Sequence, residues 1–242
     1  MKKMWMLLTL SLMSTLALAQ HGGWSYEGET GPEHWAKLSP ESADCGGKNQ
    51  SPVDLHGFVK AQLVPIAFNY HAGANEMINN GHTIQVNYLE GSQIKIDDMK
   101  FALKQFHFHA PAENLIMGKS YPLEAHFVHA ADDGELVVIA LMFKVGAENA
   151  ALNKLWPSMP AEKGQKNTLP ALFAAADLMP KQKDYYRFEG SLTTPPCTEG
   201  VRWLVLKHPV EASAKQIENF SRHLEHANNR PVQPTNARVI LN

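Results

Sequence analysis

The stretch from Gln105 to His129 constrains this chain more than any other, because histidines recur there at alternate positions in two short runs. The runs are Gln105-Phe106-His107-Phe108-His109 and Glu124-Ala125-His126-Phe127-Val128-His129. Successive side chains of a β-strand point to opposite faces, so residues two apart share a face. Gly118 and Pro122 lie between the runs and predict a turn or loop. Antiparallel pairing of the two runs would therefore bring three imidazoles together.

These histidines predict a particular kind of metal site. Three histidines without an acidic ligand are typical of a zinc site with an open fourth position, whereas a structural zinc site is closed by four protein ligands. Each ring also needs a hydrogen-bond partner for its second nitrogen. Gln105 and Glu124 stand two residues before His107 and His126 on the same face and are candidates for this role. His107 alone would be interpreted as a buried, hydrogen-bonded histidine, but together with His109 and His126 it predicts a catalytic Zn²⁺.

Further motifs occur along nearly the whole chain. They are Trp24-Ser25-Tyr26, Gly31-Pro32-Glu33-His34-Trp35, Asn49-Gln50-Ser51-Pro52-Val53-Asp54, Glu113-Asn114, Ser191-Leu192-Thr193-Thr194-Pro195-Pro196 and Asn228-Asn229-Arg230-Pro231-Val232-Gln233-Pro234. With the histidine runs, they resemble the α-class carbonic anhydrases of the bacterial, exported type. One segment departs from the pattern, since Ala110-Pro111-Ala112 replaces the Trp-Gly pair and the Ser that many relatives carry. We expect this change to affect the pocket rim and no ligand.

The resemblance implies an activity, the reversible hydration of CO₂ to bicarbonate and a proton by attack of a zinc-bound hydroxide. In carbonic anhydrases generally, the metal lowers the pKa of bound water to about 7. The resemblance also implies that Thr193 accepts a hydrogen bond from the hydroxide and that Glu113 accepts the proton of Thr193. Without it, Thr193 would be an ordinary loop residue and Glu113 a surface charge.

The resemblance assigns the substrate pocket as well. Five residues match the apolar wall that holds CO₂, and without the resemblance all would be interpreted as core residues: Val128, Val138, Leu192, Val201 and Trp203. Thr194 is expected to contact bicarbonate.

His82 follows Asn79-Asn80-Gly81 and matches the position of the family's proton-shuttle histidine. An ordinary imidazole, with a pKa of about 6.5, would accept a proton from water of pKa about 7 at little cost. The simpler interpretation of His82 is an exposed histidine after a turn.

Two other functions are consistent with the same residues. One is a zinc-dependent esterase, although the chain lacks the His-Glu-x-x-His motif of zinc proteases. The other is a non-catalytic zinc-binding relative, although such relatives usually lose a zinc histidine. The formal net charge is −2 and no basic patch predicts binding to nucleic acid. A homodimer is suggested only by analogy with bacterial relatives.

The N-terminus has the pattern of a cleavable signal peptide over residues 1–19. Lys2 and Lys3 precede an apolar run, and Ala17-Leu18-Ala19 is a small-residue cleavage site, so the mature domain is expected to span residues 20–242. The run is short for the alternative of an uncleaved membrane anchor, and no later segment predicts a membrane span. A periplasmic or secreted protein can keep disulfides, so Cys45 and Cys197, the only cysteines, predict one bridge over two free thiols.

The remaining pattern predicts a mainly β fold with short helices, of the α/β roll type. Strand signals recur at residues 66–70, 83–88, 93–96, 103–109, 124–129, 136–144, 187–189 and 201–206, while helical signals are limited to 149–156, 169–176 and 214–226. The run from Leu136 to Phe143 is continuously apolar and predicts a strand buried on both faces. The resemblance implies a single domain around a large twisted, mostly antiparallel sheet of about ten strands.

Overall fold

The computed structural model describes residues 23–224 and 226–242. The predicted signal peptide, residues 1–19, lies outside the described residues. Within the described ranges, no helix has the length and apolarity needed to cross a membrane.

Strands dominate the described chain. They are β1 (Asp54–Leu55), β2 (Ala67–Asn69), β3 (Ala72–Asn79), β4 (Ile84–Tyr88), β5 (Gln93–Ile96), β6 (Met99–His109), β7 (Leu115–Ile116), β8 (Leu123–Ala130), β9 (Leu136–Val145), β10 (Lys166–Ala174), β11 (Tyr185–Ser191), β12 (Glu199–Leu206) and β13 (Val210–Ala212). The α-helices are α1 (Trp35–Leu38), α2 (Ala150–Leu155) and α3 (Ala214–Leu224). Short 3-10 segments lie at Gly28–Thr30, Pro40–Gly46, Trp156–Ser158 and Ala175–Leu178.

Eleven of these strands form one open, twisted sheet. Its main path runs in the order β10-β3-β4-β6-β8-β9-β12-β11, with β13 also beside β9 and with β5 joining β2 to β6. Its pairings are antiparallel except those of β12 and β13 with β9, which are parallel. The short strands β1 and β7 form a separate parallel pair. The predicted large, mostly antiparallel sheet is therefore confirmed, with eleven strands where about ten were expected.

The strand β9 lies between two cores, as its continuous apolar run predicts. Alternate residues enter the larger core, namely Val137, Ile139, Leu141 and Phe143. The residues between them enter a second core on the other face, namely Val138, Ala140 and Met142. The larger core also receives Phe106, Phe108 and Phe127. Because side chains alternate along a strand, His107, His109 and His126 face the side of the second core, whereas His129 faces the larger core.

Two of the three predicted helices are confirmed. Asn149 caps α2, since its side-chain oxygen accepts hydrogen bonds from the backbone N–H groups of Ala151 and Leu152 at 3.0 and 3.2 Å. Ile217, Phe220 and Leu224 recur at helical spacing and form the buried face of α3.

The helix predicted at residues 169–176 is wrong, since this segment is the end of β10 followed by a 3-10 turn. It pairs with β3, a strand that the sequence conceals because it is rich in Ala, Gly and Asn. Pro170 has no N–H to donate to a neighbouring strand, and the pairing register shifts between Thr168 and Phe173 around it. Pairing with β3 has therefore overridden the local preference of the Ala-rich segment for helix.

The predicted bridge between Cys45 and Cys197 is present and links positions 152 residues apart. It joins the 3-10 segment Pro40–Gly46 to the loop between β11 and β12. Both sulfurs pack against Trp35, which is fully buried. The bridge thus ties the N-terminal segment to the loop that carries Thr193 and Thr194.

Breaking this bridge is expected to lower the melting temperature by roughly 5–15 °C, since a disulfide that closes a long loop typically contributes about 2–4 kcal/mol to the free energy of unfolding. Calorimetry of the oxidised protein with and without reductant measures the change. In the Cys45→Ser/Cys197→Ser double variant the reductant should have no effect. An unchanged melting temperature on reduction, or two titratable thiols in protein purified without reductant, would contradict this prediction.

Candidate active site

The pairing of β6 with β8 brings the three predicted zinc ligands together. The register places His107 opposite His126 and His109 opposite Glu124. The ligand nitrogens of the three histidines lie within 4.8 Å of one another, and within the described ranges no other group of three potential metal ligands is so placed. His109 and His126 are buried, whereas His107 is partly exposed. One ion could therefore contact all three rings and still be reached from one side.

Each imidazole has a partner for the nitrogen that points away from the cluster. His107 Nδ1 lies 2.8 Å from Gln105 Oε1, as predicted. His126 Nε2 lies 2.9 Å from Oε1 of Glu124, its predicted partner, but this contact does not meet hydrogen-bond geometry. His109 Nδ1 lies 2.7 Å from the backbone carbonyl of Asn228, a partner that the sequence did not reveal. Backbone carbonyls occur at every residue, so no residue type could have signalled it.

Burial favours the neutral form of these rings. It lowers the pKa of His107 and His126 well below the usual value, and the neighbouring imidazoles lower both further. Burial also lowers the pKa of His109, opposed by its hydrogen bond to Asn228. The Nε2 atom of His109 is buried without any hydrogen-bond partner. A neutral imidazole with an unpaired buried nitrogen is suited to bind a metal.

Glu124 is fixed by a buried network around it. Its Oε2 accepts hydrogen bonds from the backbone N–H groups of Glu113 and Asn114 at 2.7 and 3.0 Å. Its Oε1 accepts another from Asn114 Nδ2 at 2.8 Å. Burial raises the pKa of Glu124, and the bonds from Asn114 oppose that rise. Asn114 thus orients Glu124, which in turn faces His126.

Glu113 and Thr193 are both buried beside the histidines. Glu113 Oε1 accepts a hydrogen bond from the backbone N–H of Arg230 at 2.8 Å and lies 3.6 Å from His109 Nδ1. Burial raises the pKa of Glu113 well above the usual value, while the Arg230 N–H and a contact with the Thr193 side chain oppose that rise. The structure therefore brings together the two residues that the motifs had paired.

The five predicted wall residues lie together next to the cluster. All belong to the second core or pack against it: Val128, Val138, Leu192, Val201 and Trp203. The register places Val138 between Val128 and Trp203 on neighbouring strands. Trp203 packs edge-on against His126, with ring centroids 4.9 Å apart. Thr194, half-buried, follows Thr193 in the same loop.

His82 differs from expectation, because its ring is not free in solvent. It stacks on Trp24 with ring centroids 3.6 Å apart. Its backbone N–H donates to Asn80 Oδ1, and its carbonyl accepts from Asn228 Nδ2. Burial first, then the charges of Lys163 and His226, lower the pKa of His82 to about 4. The expected ordinary pKa of about 6.5 is therefore wrong for this position of the ring.

The departure at Ala110-Pro111-Ala112 leaves the ligands in place. Ala110 and Ala112 are buried, and the backbone N–H of Ala110 donates to Asn228 Oδ1 at 2.8 Å. Asn228 holds His109 from the same side. An open groove beside the replaced residues is lined by Ala110, Pro111, Ser221, Arg222, His226 and Ala227. The change thus alters the surface at the end of β6 and not the metal cluster.

Comparison with known proteins agrees with this geometry. Residues 30–242 match the family model described as eukaryotic-type carbonic anhydrase. A carbonic anhydrase of Pectobacterium atrosepticum is 50% identical over 235 residues, which cover 97% of this chain and 96% of the relative.

Two solved structures extend the comparison. The α-carbonic anhydrase of Thermovibrio ammonificans, in complex with the inhibitor sulfanilamide, is 50% identical with a TM-score of 0.90, covering 91% of this chain and 99% of that chain. Dioscorin complexed with ascorbate is 30% identical with a TM-score of 0.85, covering 90% of this chain and 97% of that chain. With the family model matched over most of its length, the chain belongs to the eukaryotic-type, or α, carbonic anhydrase family of enzymes.

Proposed function

We propose that this enzyme catalyses the reversible hydration of CO₂ to bicarbonate and a proton with a Zn²⁺ ion held by His107, His109 and His126. The cluster of three neutral, oriented imidazoles carries the proposal. Three nitrogen ligands and an open fourth position fit a catalytic zinc. Such an ion, as is known for carbonic anhydrases in general, lowers the pKa of a bound water to about 7 and so supplies a nucleophile at neutral pH.

Thr193 and Glu113 orient the attacking oxygen in this proposal. Thr193 donates its single hydroxyl hydrogen bond to Glu113, so toward the nucleophile its oxygen can only accept a hydrogen bond, which directs the attacking oxygen at CO₂. This role needs an ionised Glu113, although burial alone raises its pKa. A divalent cation in the histidine cluster favours the ionised carboxylate, because Glu113 Oε2 lies only 3.9 Å from His126 Nδ1.

The apolar wall provides the place for CO₂, which has no net charge and gains from leaving water. Val128, Val138 and Trp203 lie side by side on β8, β9 and β12, and Leu192 and Val201 pack in the same core. Bicarbonate is charged and needs polar contacts, which Thr194 supplies from the adjacent loop.

The alternatives explain fewer of these features. A non-catalytic zinc-binding relative would not require the contact of Thr193 with Glu113. A zinc-dependent esterase would use the same metal ligands, but the match of Val128, Val138 and Trp203 to the wall that holds CO₂ in the family favours hydration. CO₂ hydration uses the metal ligands, the orienting pair and the wall together.

Export is part of the proposal. The signal-peptide pattern of residues 1–19 and the bridge between Cys45 and Cys197 support a mature chain from Gln20 in the periplasm or outside the cell. The homodimer stays a prediction.

His82 is proposed to carry the released proton away. A donor of pKa about 7 loses its proton directly to water no faster than roughly 10³ s⁻¹, far below the turnover of about 10⁶ s⁻¹ known for a fast carbonic anhydrase. On Trp24 the His82 ring has a pKa of about 4 and accepts a proton poorly. We infer that it accepts the proton after lifting off Trp24 into water, where an imidazole regains a pKa of about 6.5.

Replacement of one ligand tests the metal site. His126→Ala is expected to reduce zinc from about one ion per chain to nearly none, because two imidazoles hold zinc far more weakly than three. Elemental analysis after dialysis measures the content. His208→Ala, at an exposed ring near Asp184, is the matched control and should keep its zinc. Full zinc content in His126→Ala would exclude the proposed site.

Removal of the orienting hydroxyl tests the second step. Thr193→Ala is expected to keep zinc and lower kcat/KM for CO₂ hydration by about 10–100-fold, the usual effect of losing a group that orients a metal site. Stopped-flow hydration assays measure it. Thr198→Ala, at an exposed side chain in the same loop, should behave as the unaltered enzyme. If kcat/KM is the same in Thr193→Ala, the assigned role is wrong.

Proton export is tested at His82. His82→Ala is expected to lower kcat at low buffer concentration while kcat/KM stays nearly unchanged, because attack on CO₂ does not involve this ring. Added imidazole should restore part of the loss by carrying the proton itself. Equal kcat at low buffer with and without His82 would show that another group or a water chain exports the proton.

A further inference from the structure

His82 belongs to a continuous array of four rings at the surface. Its imidazole stacks on Trp24, with centroids 3.6 Å apart. Trp24 contacts Tyr26 edge-on at 5.3 Å. Tyr26 in turn lies 6.0 Å from His226, which follows the end of α3. A second imidazole therefore lies at the far end of the array that holds His82.

The two histidines are also linked electrostatically. The charges that face His82 are those of Lys163 and His226, and both lower its pKa. Asn228, two residues after His226, binds the carbonyl of His82 at 3.1 Å. This bond ties the segment that carries His226 to the turn that carries His82.

We propose that His226 is a second station for proton export, which receives the proton from His82 and passes it to buffer. The inference rests on the proposed function of the site. His226 is half-buried and lines the open groove beside Ala110 and Pro111, so buffer can reach it. Trp24 and Tyr26 set the distance between the imidazoles, while water at the surface carries the proton between them.

The electrostatics of His82 create the need for such a station. When the His82 ring returns to Trp24 with a proton, burial and the charge of Lys163 make it release that proton readily. A nearby imidazole then accepts the proton before it returns inward, because histidine is the side chain that binds and releases protons near neutral pH.

The test compares two glutamine variants on the same segment. His226→Gln keeps a polar side chain but removes the proton carrier. His223→Gln is the matched control, because His223 bonds the carbonyl of Pro160 at 2.6 Å and glutamine can still donate to it. At low buffer we expect a several-fold lower kcat in His226→Gln, the unaltered value in His223→Gln, and the same kcat/KM in both. In a His82→Ala background, His226→Gln should cause no further loss.

The outcomes separate this inference from the function on which it depends. If His82→Ala lowers kcat at low buffer but His226→Gln does not, His226 is no station and the role of His82 stands. If the losses of the two variants multiply, the histidines serve separate routes and the inference is wrong. If His82→Ala has no effect, the route through His82 fails, and the relay with it.

A readout without catalysis checks the contact between the rings. Titration of the histidine ring signals by NMR should show the His82 midpoint moving upward in His226→Gln, because a repelling charge is lost. The same midpoint should not move in His223→Gln. An unmoved His82 midpoint in His226→Gln would mean that the two rings do not sense each other, and the proposed relay would be overturned.

Discussion

The antiparallel register between β6 and β8 is the constraint on which the site depends. It sets His107 opposite His126 and His109 opposite Glu124, so three rings meet on one face. A slip of one residue would move every side chain of a strand to the other face. Phe106, Phe108 and Phe127 oppose such a slip, because they fill the larger core from the opposite face of the same strands. Packing of the phenylalanines on one face of these strands thus fixes the positions of the histidines on the other face.

The buried groups beside the histidines are held by residues from distant parts of the chain, and Arg230 is the main example. Arg230 is 2% exposed, and its guanidinium donates to the carbonyls of Ser51 and Cys45 at 2.8 and 2.9 Å. Burial lowers the pKa of Arg230 to about 10, opposed by Glu113. Its cationic group lies over Trp35, 5.4 Å from the ring centroid. Arg230 thereby connects two parts of the site. Its side chain holds the disulfide segment, and its backbone N–H holds Glu113.

Alternating side chains in short strands were enough to predict which three histidines cluster, and the neighbours Gln105 and Glu124 followed from the same spacing. Partners that come from another part of the chain could not be predicted in this way. The carbonyl of Asn228 that holds His109 and the stacking of Trp24 on His82 depend on tertiary packing. The strand β10 was mistaken for a helix for the same reason, since only pairing with β3 makes it a strand. Motifs located Thr193 and Glu113, but they did not predict that burial raises the pKa of Glu113.

The use of Asn228 and Arg230 so near the C-terminus has a consequence for the order of folding. His109 and Glu113 are hydrogen-bonded to Asn228 and Arg230, which lie about 120 residues further along the chain. Contacts between residues so far apart in sequence form slowly. Chains are synthesised and fold from the N-terminal end, so the histidines are made long before the segment that orients them. The histidine cluster of a nascent chain therefore lacks these hydrogen bonds until Asn228 and Arg230 have been synthesised.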